Sequence, residues 1–124
     1  MYLMFEYLFF NTSTEFLRLP PDSIVYITAD GNYSEITTAD GGKYLVTLQL
    51  GDIERQISNT HRRYDNMFIR IGRSLIVNRS YITRISPGRQ KIVLSDCREF
   101  CYEVTASREA LKELKECFER EVRR

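Results

Sequence analysis

The sequence predicts a mainly β protein made of short antiparallel strands, with one helix between two β-blocks and a second helix at the end. Turn-forming residues recur every few positions, and the segments between them are rich in Val, Ile, Tyr, Phe and Thr, which favour strands. With 124 residues, 43% of them apolar, the chain can bury a core as one domain. We therefore expect a single domain over residues 1–124, of which residues 1–8 could instead be an N-terminal extension or a linker remnant.

The first β-block is predicted to be an antiparallel meander. Its strands are expected at residues 9–11, 16–19, 24–29, 33–38 and 43–46. Turns are expected at Thr12-Ser13-Thr14, at Asp30-Gly31-Asn32 and at Asp40-Gly41-Gly42, because these residues tolerate tight backbone conformations. Pro20 and Pro21 should end the first hairpin, since proline has no N–H to donate to a strand ladder.

One helix is predicted to link the two β-blocks, and another to end the chain. Thr47 can cap the first helix, which would run to about Asn59, and either Thr105 or Ser107 can cap the second. The predicted apolar faces are Leu50, Ile53 and Ile57 in the first helix, and Leu111, Leu114, Phe118 and Val122 in the second. Strands of the second β-block are expected at residues 68–71, 81–85, 91–94 and 100–104.

Patterns typical of a catalytic or metal site are missing from the sequence. The one histidine, His61, lies in a polar stretch without a suitably spaced acid or thiol, so we expect a surface-loop residue. Metal sites need clustered Cys, His or carboxylate ligands, which the sequence does not supply. We therefore predict a protein that is not an enzyme, with no cofactor, no metal and no small-molecule substrate.

The cysteine count and the apolar N-terminus bear on location. Three cysteines, an odd number, argue against the disulfide framework of a secreted domain and favour a reduced, cytoplasmic protein. Cys97 and Cys101 are expected on one face of a strand, too far apart to form a disulfide. The apolar start MYLMFEYLFF is interrupted by Glu6 and is shorter than the roughly 20 residues of a spanning helix. No membrane anchor is therefore expected within this chain.

Residues 66–95 contain no carboxylate, and we call this stretch the basic window. Its six basic residues are Arg70, Arg73, Arg79, Arg84, Arg89 and Lys91. The whole chain has 18 Lys+Arg against 17 Asp+Glu, so the remainder carries 12 − 17, or −5. This asymmetry favours a polyanionic partner. The alternative at this point is a solvated sheet face whose bases pair with acids elsewhere in the chain.

A bend in the basic window points to a more specific role. Phe68-Ile69-Arg70-Ile71 alternates as a strand does, and Gly72 interrupts it, so that Arg73 and Ser74 lie at a bend before Leu75-Ile76-Val77. An arginine at a rigid bend can donate two hydrogen bonds to guanine O6 and N7 in a major groove. The basic residues better suited to contacts with DNA phosphates are Arg70, Arg89 and Lys91.

The order of these signals resembles that of the LytTR family of bacterial DNA-binding domains, the output domains of response regulators. Residues 68–78, FIRIGRSLIVN, are similar to that family's motif F-x-R-x-H-R-S followed by an apolar run and Asn, with Gly72 in place of the frequent histidine. Residues 24–33, IVYITADGNY, are similar to its second signature, a strand and turn. The resemblance spans about residues 9–118, with the expected helix between the two motifs.

The resemblance implies both a fold and a function. The implied fold is a set of short antiparallel sheets stacked in an elongated sandwich, and the implied function is sequence-specific binding of double-stranded DNA by a transcription regulator. Loops would enter successive major grooves, and two copies or a dimer would occupy paired half-sites. By position, Ser34 and Arg73 are implied base readers, and Arg108 is expected to replace Ala106 as the third. Implied phosphate contacts are Arg70, Ser74, Arg89 and Lys91.

Two alternatives stay open. Because many family members carry a receiver domain, the chain is either a stand-alone LytTR protein or a fragment of a longer regulator. The rival function is that of a β-rich protein-interaction module of a signalling protein that does not contact DNA. DNA binding predicts that the basic side chains converge on one edge, whereas the rival predicts scattered basic side chains paired with acids.

Three further residues of the two motifs are expected to have structural roles. Asn78 is expected to close a turn through its amide, and Tyr26 and Tyr33 are expected to pack.

Overall fold

Three antiparallel sheets and two helices form the computed structural model of the chain, which describes residues 7–60 and 66–123. The strands are β1 Leu8–Asn11, β2 Phe16–Leu19, β3 Ile24–Asp30, β4 Tyr33–Thr38, β5 Lys43–Val46, β6 Phe68–Ile71, β7 Leu75–Asn78, β8 Ile82–Ser86, β9 Lys91–Ser95 and β10 Cys101–Thr105. The helices are α1, Leu50–Thr60, and α2, Arg108–Val122. Short 3₁₀ turns lie at Pro21–Ser23 and Arg79–Tyr81.

A five-stranded sheet with the order β5-β4-β3-β7-β6 forms the middle layer. One core packs against one of its faces and includes residues of the β1–β2 hairpin and α1. A second core packs against the other face and includes residues of the three-stranded sheet β10-β9-β8 and of α2. This layered arrangement confirms the predicted fold class, a mainly β protein whose short antiparallel sheets stack with two helices.

Strand β7 is buried on both faces of the middle sheet. Leu75 and Val77 belong to the core shared with α2, whereas Ile76 belongs to the core shared with α1. Fully burying a side chain of this size contributes about 1.5–3 kcal/mol. Because burial on both faces removes the alternation of a half-buried strand, the apolar run 75–77 cannot be assigned from periodicity alone. The second β-block therefore has one strand more than predicted.

Helix α1 begins later than predicted. The Gln49 carbonyl accepts hydrogen bonds from the N–H groups of Asp52, at 3.0 Å, and Ile53, at 3.1 Å, so the helix starts at Leu50 and not after Thr47. The reason lies in the preceding segment, where the Leu48 carbonyl accepts the Ser34 hydroxyl at 2.6 Å and is held against β4. The predicted apolar face of Leu50, Ile53 and Ile57 is buried, as expected.

Helix α2 is capped at its start by Ser107, whose hydroxyl accepts a hydrogen bond from the Ala110 N–H at 3.2 Å. Of the two predicted caps, Ser107 is therefore the correct one. Leu111 and Leu114 are buried, but Val122 is 83% exposed, so the predicted apolar face is wrong at its last residue. The C-terminal part is instead held by Arg79 of the 3₁₀ turn, which pairs with Glu121 and lies 4.9 Å from the centre of the Phe118 ring.

Two further local predictions change. Leu8, assigned to a possible extension, is the first residue of β1 and is completely buried in the core. Cys97 lies in the loop after β9, with a φ of +61°, and not on a strand with Cys101. The loop forms because the Asp96 carboxylate accepts hydrogen bonds from three successive backbone N–H groups, those of residues 98–100. All three cysteines are free thiols.

Other predictions concern metal binding, membranes and His61. Residues 7–60 and 66–123 include no group of three or more His, Cys, Asp or Glu side chains able to hold a metal ion. Neither of the helices within this described part is long and apolar enough to cross a membrane. His61 lies outside the described residues.

Candidate nucleic-acid interface

Gly72, Arg73 and Ser74 form the loop that joins β6 to β7, and we call it the Arg73 loop. Ile71 pairs with Leu75, so three residues make the connection. Gly72 has a φ of +62°, in the left-handed region that glycine adopts most readily. The predicted bend is therefore confirmed. The Arg73 side chain is exposed and makes no hydrogen bond or ion pair with any other described residue, so its guanidinium is free to reach a partner.

The Arg73 loop is fixed on two sides. Nη2 of Arg70 donates to the Arg73 carbonyl at 2.9 Å, while Nη1 of the same guanidinium lies 2.5 Å from Oε1 of Glu54 on α1. On the other side, the Ala29 N–H of β3 donates to the Ser74 carbonyl at 2.9 Å. Both terminal nitrogens of Arg70 therefore have partners within the protein, which argues against Arg70 as a free phosphate ligand.

The β3–β4 turn lies next to the Arg73 loop. Gly31 adopts a φ of +64° in this turn. Together with Gly51 of α1, Arg70 and Arg73, it lines an open groove of about 270 Å³. The second region expected to contact DNA is therefore adjacent to the first.

Ser34 is not available at this turn. Its side chain is fully buried, and its hydroxyl donates to the Leu48 carbonyl, which links β4 to the segment before α1. The exposed residues of the turn are Asp30, Gly31, Asn32 and Tyr33, the last of them 45% exposed. The alternation of β4 explains the difference, because Ser34 shares the inner face with the core residue Ile36. A base-reading role for Ser34 therefore does not fit this structure.

The two tyrosines expected to pack behave differently. Tyr26 is partly buried and lies edge-on to Tyr102, with ring centres 5.5 Å apart. Tyr33 is exposed, so the prediction that it packs is wrong. Asn78 closes its turn as predicted: it is fully buried, its Oδ1 accepts from the Ser80 N–H at 3.0 Å, and its Nδ2 donates to the Ile24 carbonyl at 2.9 Å.

The start of α2 lies against the Arg73 loop. A Cβ atom placed on Gly72 would be 3.8 Å from that of Ala110, in the first turn of α2. Arg108 is the first residue of this helix, is exposed, and has no hydrogen-bond or ion-pair partner in the described part of the chain. The helix start thus adds a second unpaired arginine beside Arg73.

The β8–β9 turn completes this end of the molecule. The Ala106 N–H donates to the Gln90 carbonyl at 3.2 Å, and Nζ of Lys91 donates to the Thr105 hydroxyl at 3.0 Å. Arg89 is exposed in the same turn. An ammonium group carries three hydrogens, so Lys91 can hold Thr105 and still donate to a phosphate.

Four segments therefore meet at one end of the molecule: the β3–β4 turn, the Arg73 loop, the β8–β9 turn and the start of α2. We call this end the cationic end, and its basic side chains are Arg73, Arg89, Lys91 and Arg108. It also carries the exposed carboxylates of Asp30 and Glu109. Two other basic residues of the window form ion pairs within the protein: Arg70 pairs with Glu54, and Arg79 pairs with Glu121.

Comparison with known proteins adds independent findings. The model of the LytTr DNA-binding domain family matches residues 14–119. Among solved structures, the chain is similar to the LytTr DNA-binding domain of a protein described as a methyl-accepting/DNA response regulator from Bacillus cereus, with a TM-score of 0.62 and 18% identity. That match covers 90% of this chain and 94% of the other, and at this identity it shows the fold. Comparison with curated proteins gives no match.

Proposed function

The chain belongs to the LytTr DNA-binding domain family, and from this premise we propose that it recognises a specific sequence of double-stranded DNA as the output domain of a transcription regulator. The observation that carries the proposal is Arg73, an arginine without a side-chain partner among the described residues, on a loop fixed from two sides at the cationic end. A rigid loop suits base reading because little conformational freedom is lost when a side chain on it enters a groove.

Base reading is assigned to Arg73 and Arg108. Arg73 is the principal reader, because a free guanidinium can donate two parallel hydrogen bonds to the major-groove edge of a guanine. Arg108 lies two residues after Ala106, whose methyl group can make no hydrogen bond, and it is exposed at the start of α2, which lies against the Arg73 loop. At the β3–β4 turn, the exposed side chains of Asn32 and Tyr33 take the base-reading role that Ser34 was expected to have.

Phosphate contacts are assigned to Ser74, Arg89 and Lys91. All three flank the proposed base readers, and contacts of this kind set affinity and register without carrying sequence information. Arg70 leaves this group, because its two terminal nitrogens already hold Glu54 and the Arg73 carbonyl.

We further propose that two copies bind paired half-sites, as a dimer or as two chains assembled on DNA, in the bacterial cytoplasm. The four segments together form the cationic end of the molecule, so one copy presents one set of base-reading residues to one stretch of DNA. A second copy on an adjacent half-site would double the number of base contacts, as paired DNA-binding domains commonly do. Specificity then rises without an enlarged interface on either copy.

Selection of binding sites from random duplex DNA tests the proposal directly. Wild-type protein should enrich one motif, and Arg73→Ala should lose about 1–3 kcal/mol on that site and relax the preference at one base pair. Arg84→Ala is the matched control. Arg84 is an exposed basic residue of the same window, but it lies on β8, outside the four segments. It should leave the selected motif unchanged.

Each failure has a separate meaning. If Arg73→Ala weakened binding equally on all duplexes, the base-reading role would be wrong while DNA binding stood. If the wild-type protein enriched no duplex sequence, the proposal of specific DNA binding would be overturned in favour of the rival, a protein-interaction module.

A further inference from the structure

We propose that Glu54 is a positioning residue that sets the base preference of Arg73 through Arg70, without touching DNA itself. This inference rests on the proposed function. Glu54 lies on α1, and its Oε1 is 2.5 Å from Nη1 of Arg70 at the end of β6. Nη2 of the same guanidinium donates to the Arg73 carbonyl at 2.9 Å. A carboxylate on the helix is thereby joined to the backbone of the proposed reader by two successive contacts.

The position of β6 in the sheet explains why side chains must fix this loop. Within residues 7–60 and 66–123, β6 pairs with β7 alone and is an edge strand of the middle sheet. The Ser74 end of the Arg73 loop is held through its carbonyl by the backbone of β3. The Gly72 end has no strand beside it, and glycine at a φ of +62° restricts the backbone least. The Arg70 contact with the Arg73 carbonyl supplies the restraint on that side.

Arginine at position 70 is suited to this task because its guanidinium is planar and its hydrogens point in fixed directions. When Glu54 holds Nη1, the direction of Nη2 toward the Arg73 carbonyl is fixed as well. Lysine would offer one ammonium group in place of this rigid fork, and so could not make both contacts with the same geometry.

The exposure of the pair separates positioning from stability. The side chains of Arg70 and Glu54 are 34% and 45% exposed. Ion pairs this open to water contribute little to the stability of a fold, because solvent screens them and holding two long side chains costs entropy. The pair therefore adds orientation to the Arg73 loop more than it adds stability to the domain.

Charge alone predicts the opposite effect on binding. Removing the Glu54 carboxylate beside the cationic end makes the protein more positive, and general electrostatics would then strengthen binding to every duplex. Loss of positioning would instead reduce the preference for the correct base pair. Glu54→Gln should thus lower the discrimination between base pairs without a general loss of affinity for duplex DNA. A merely structural or merely electrostatic role would not produce this combination.

The test compares Glu54→Gln with Asp52→Asn, a variant with the same charge change on the same helix. Asp52 pairs with Arg55 within α1 and is not bonded to the Arg73 loop. Affinities are measured on the selected site and on the same site with the base pair read by Arg73 replaced. We expect Glu54→Gln to lower the ratio of the two affinities about threefold or more, and Asp52→Asn to leave it within about twofold. Arg70→Lys should act as Glu54→Gln does.

Two further measurements distinguish the possible failures. In an Arg73→Ala background, Glu54→Gln should change the ratio no further, since the two residues act as one unit. The thermal midpoint of Glu54→Gln should stay within about 5 °C of the wild type, which excludes unfolding as the cause. If Arg73→Ala relaxed the preference but Glu54→Gln matched Asp52→Asn, the positioning role would be overturned alone. A wild type without preference would overturn the proposed function and this inference together.

Discussion

Replacing Gly72 with alanine should destabilise the domain by about 1 kcal/mol, through the backbone alone. Gly72 has a φ of +62°, a conformation that costs an L-residue about 1–2 kcal/mol. Alanine recovers about 0.4–1 kcal/mol of this by restricting the unfolded chain. The added Cβ would lie 3.8 Å from the Cβ of Ala110, an ordinary contact, so no steric clash adds to the cost. The net loss is therefore close to the difference between the two backbone effects.

Urea denaturation measures this loss against two controls. For a small domain, 1 kcal/mol moves the unfolding midpoint by about 0.3–1 M urea without a change in slope. Gly88→Ala is the matched control, because Gly88 lies outside the positive-φ region and a Cβ there would meet nothing within 4 Å. It should be neutral or slightly stabilising. Gly72→Asn should lose less than Gly72→Ala, because asparagine tolerates the left-handed region better.

The order of the three variants is the critical result. If Gly72→Ala were as stable as the wild type, the Arg73 loop would not need the left-handed conformation at position 72, and the reasoning would be refuted. If Gly88→Ala lost as much, the cost would belong to glycine replacement in general. A changed slope would indicate an altered unfolded or native state and would invalidate the comparison on which the magnitude is based.

Two other predictions concern phosphate binding and the buried turn. Lys91→Ala should weaken binding to all duplexes alike and reduce the slope of log K against log salt by about 0.9, and an unchanged slope would remove Lys91 from the phosphate contacts. Asn78→Ala should destabilise the domain by about 2–4 kcal/mol in thermal unfolding, because it leaves the Ile24 carbonyl and the Ser80 N–H without their buried partner. The exposed Asn66→Ala is its control, and a loss below about 1 kcal/mol for Asn78→Ala would contradict the reasoning.

Local chemistry made part of the site predictable. The bend at Gly72 follows from a glycine that interrupts an alternating strand, and the role of Asn78 follows from an amide between an apolar run and a turn. The burial of Ser34 could also have been predicted from residues alone. Counting two positions back from the apolar Ile36 places Ser34 on the inner face of β4 and Tyr33 on the outer face.

Long-range pairing could not be predicted in the same way. Glu54 and Arg70 are separated by 16 positions and Arg79 and Glu121 by 42, and each pair meets only because a helix packs beside the sheet. A run without acids therefore overstates the free charge of the basic window. Two of its six basic residues form ion pairs with glutamates of helices that lie outside the window in the sequence.

What distinguishes the cations proposed to bind DNA from the structural ones is whether the folded state gains from their charge. Arg79 pairs with Glu121 and lies over Phe118, so the fold uses its charge to hold α2. Arg108 occupies the first position of the same helix, where the dipole disfavours a cation by about 0.3–1 kcal/mol. Arg73 is unpaired among the described residues, and its loop lies against the first turn of that helix. Cations placed where the fold gains nothing from them are best explained by a partner that is itself negative, which is the property of duplex DNA on which the proposed function depends.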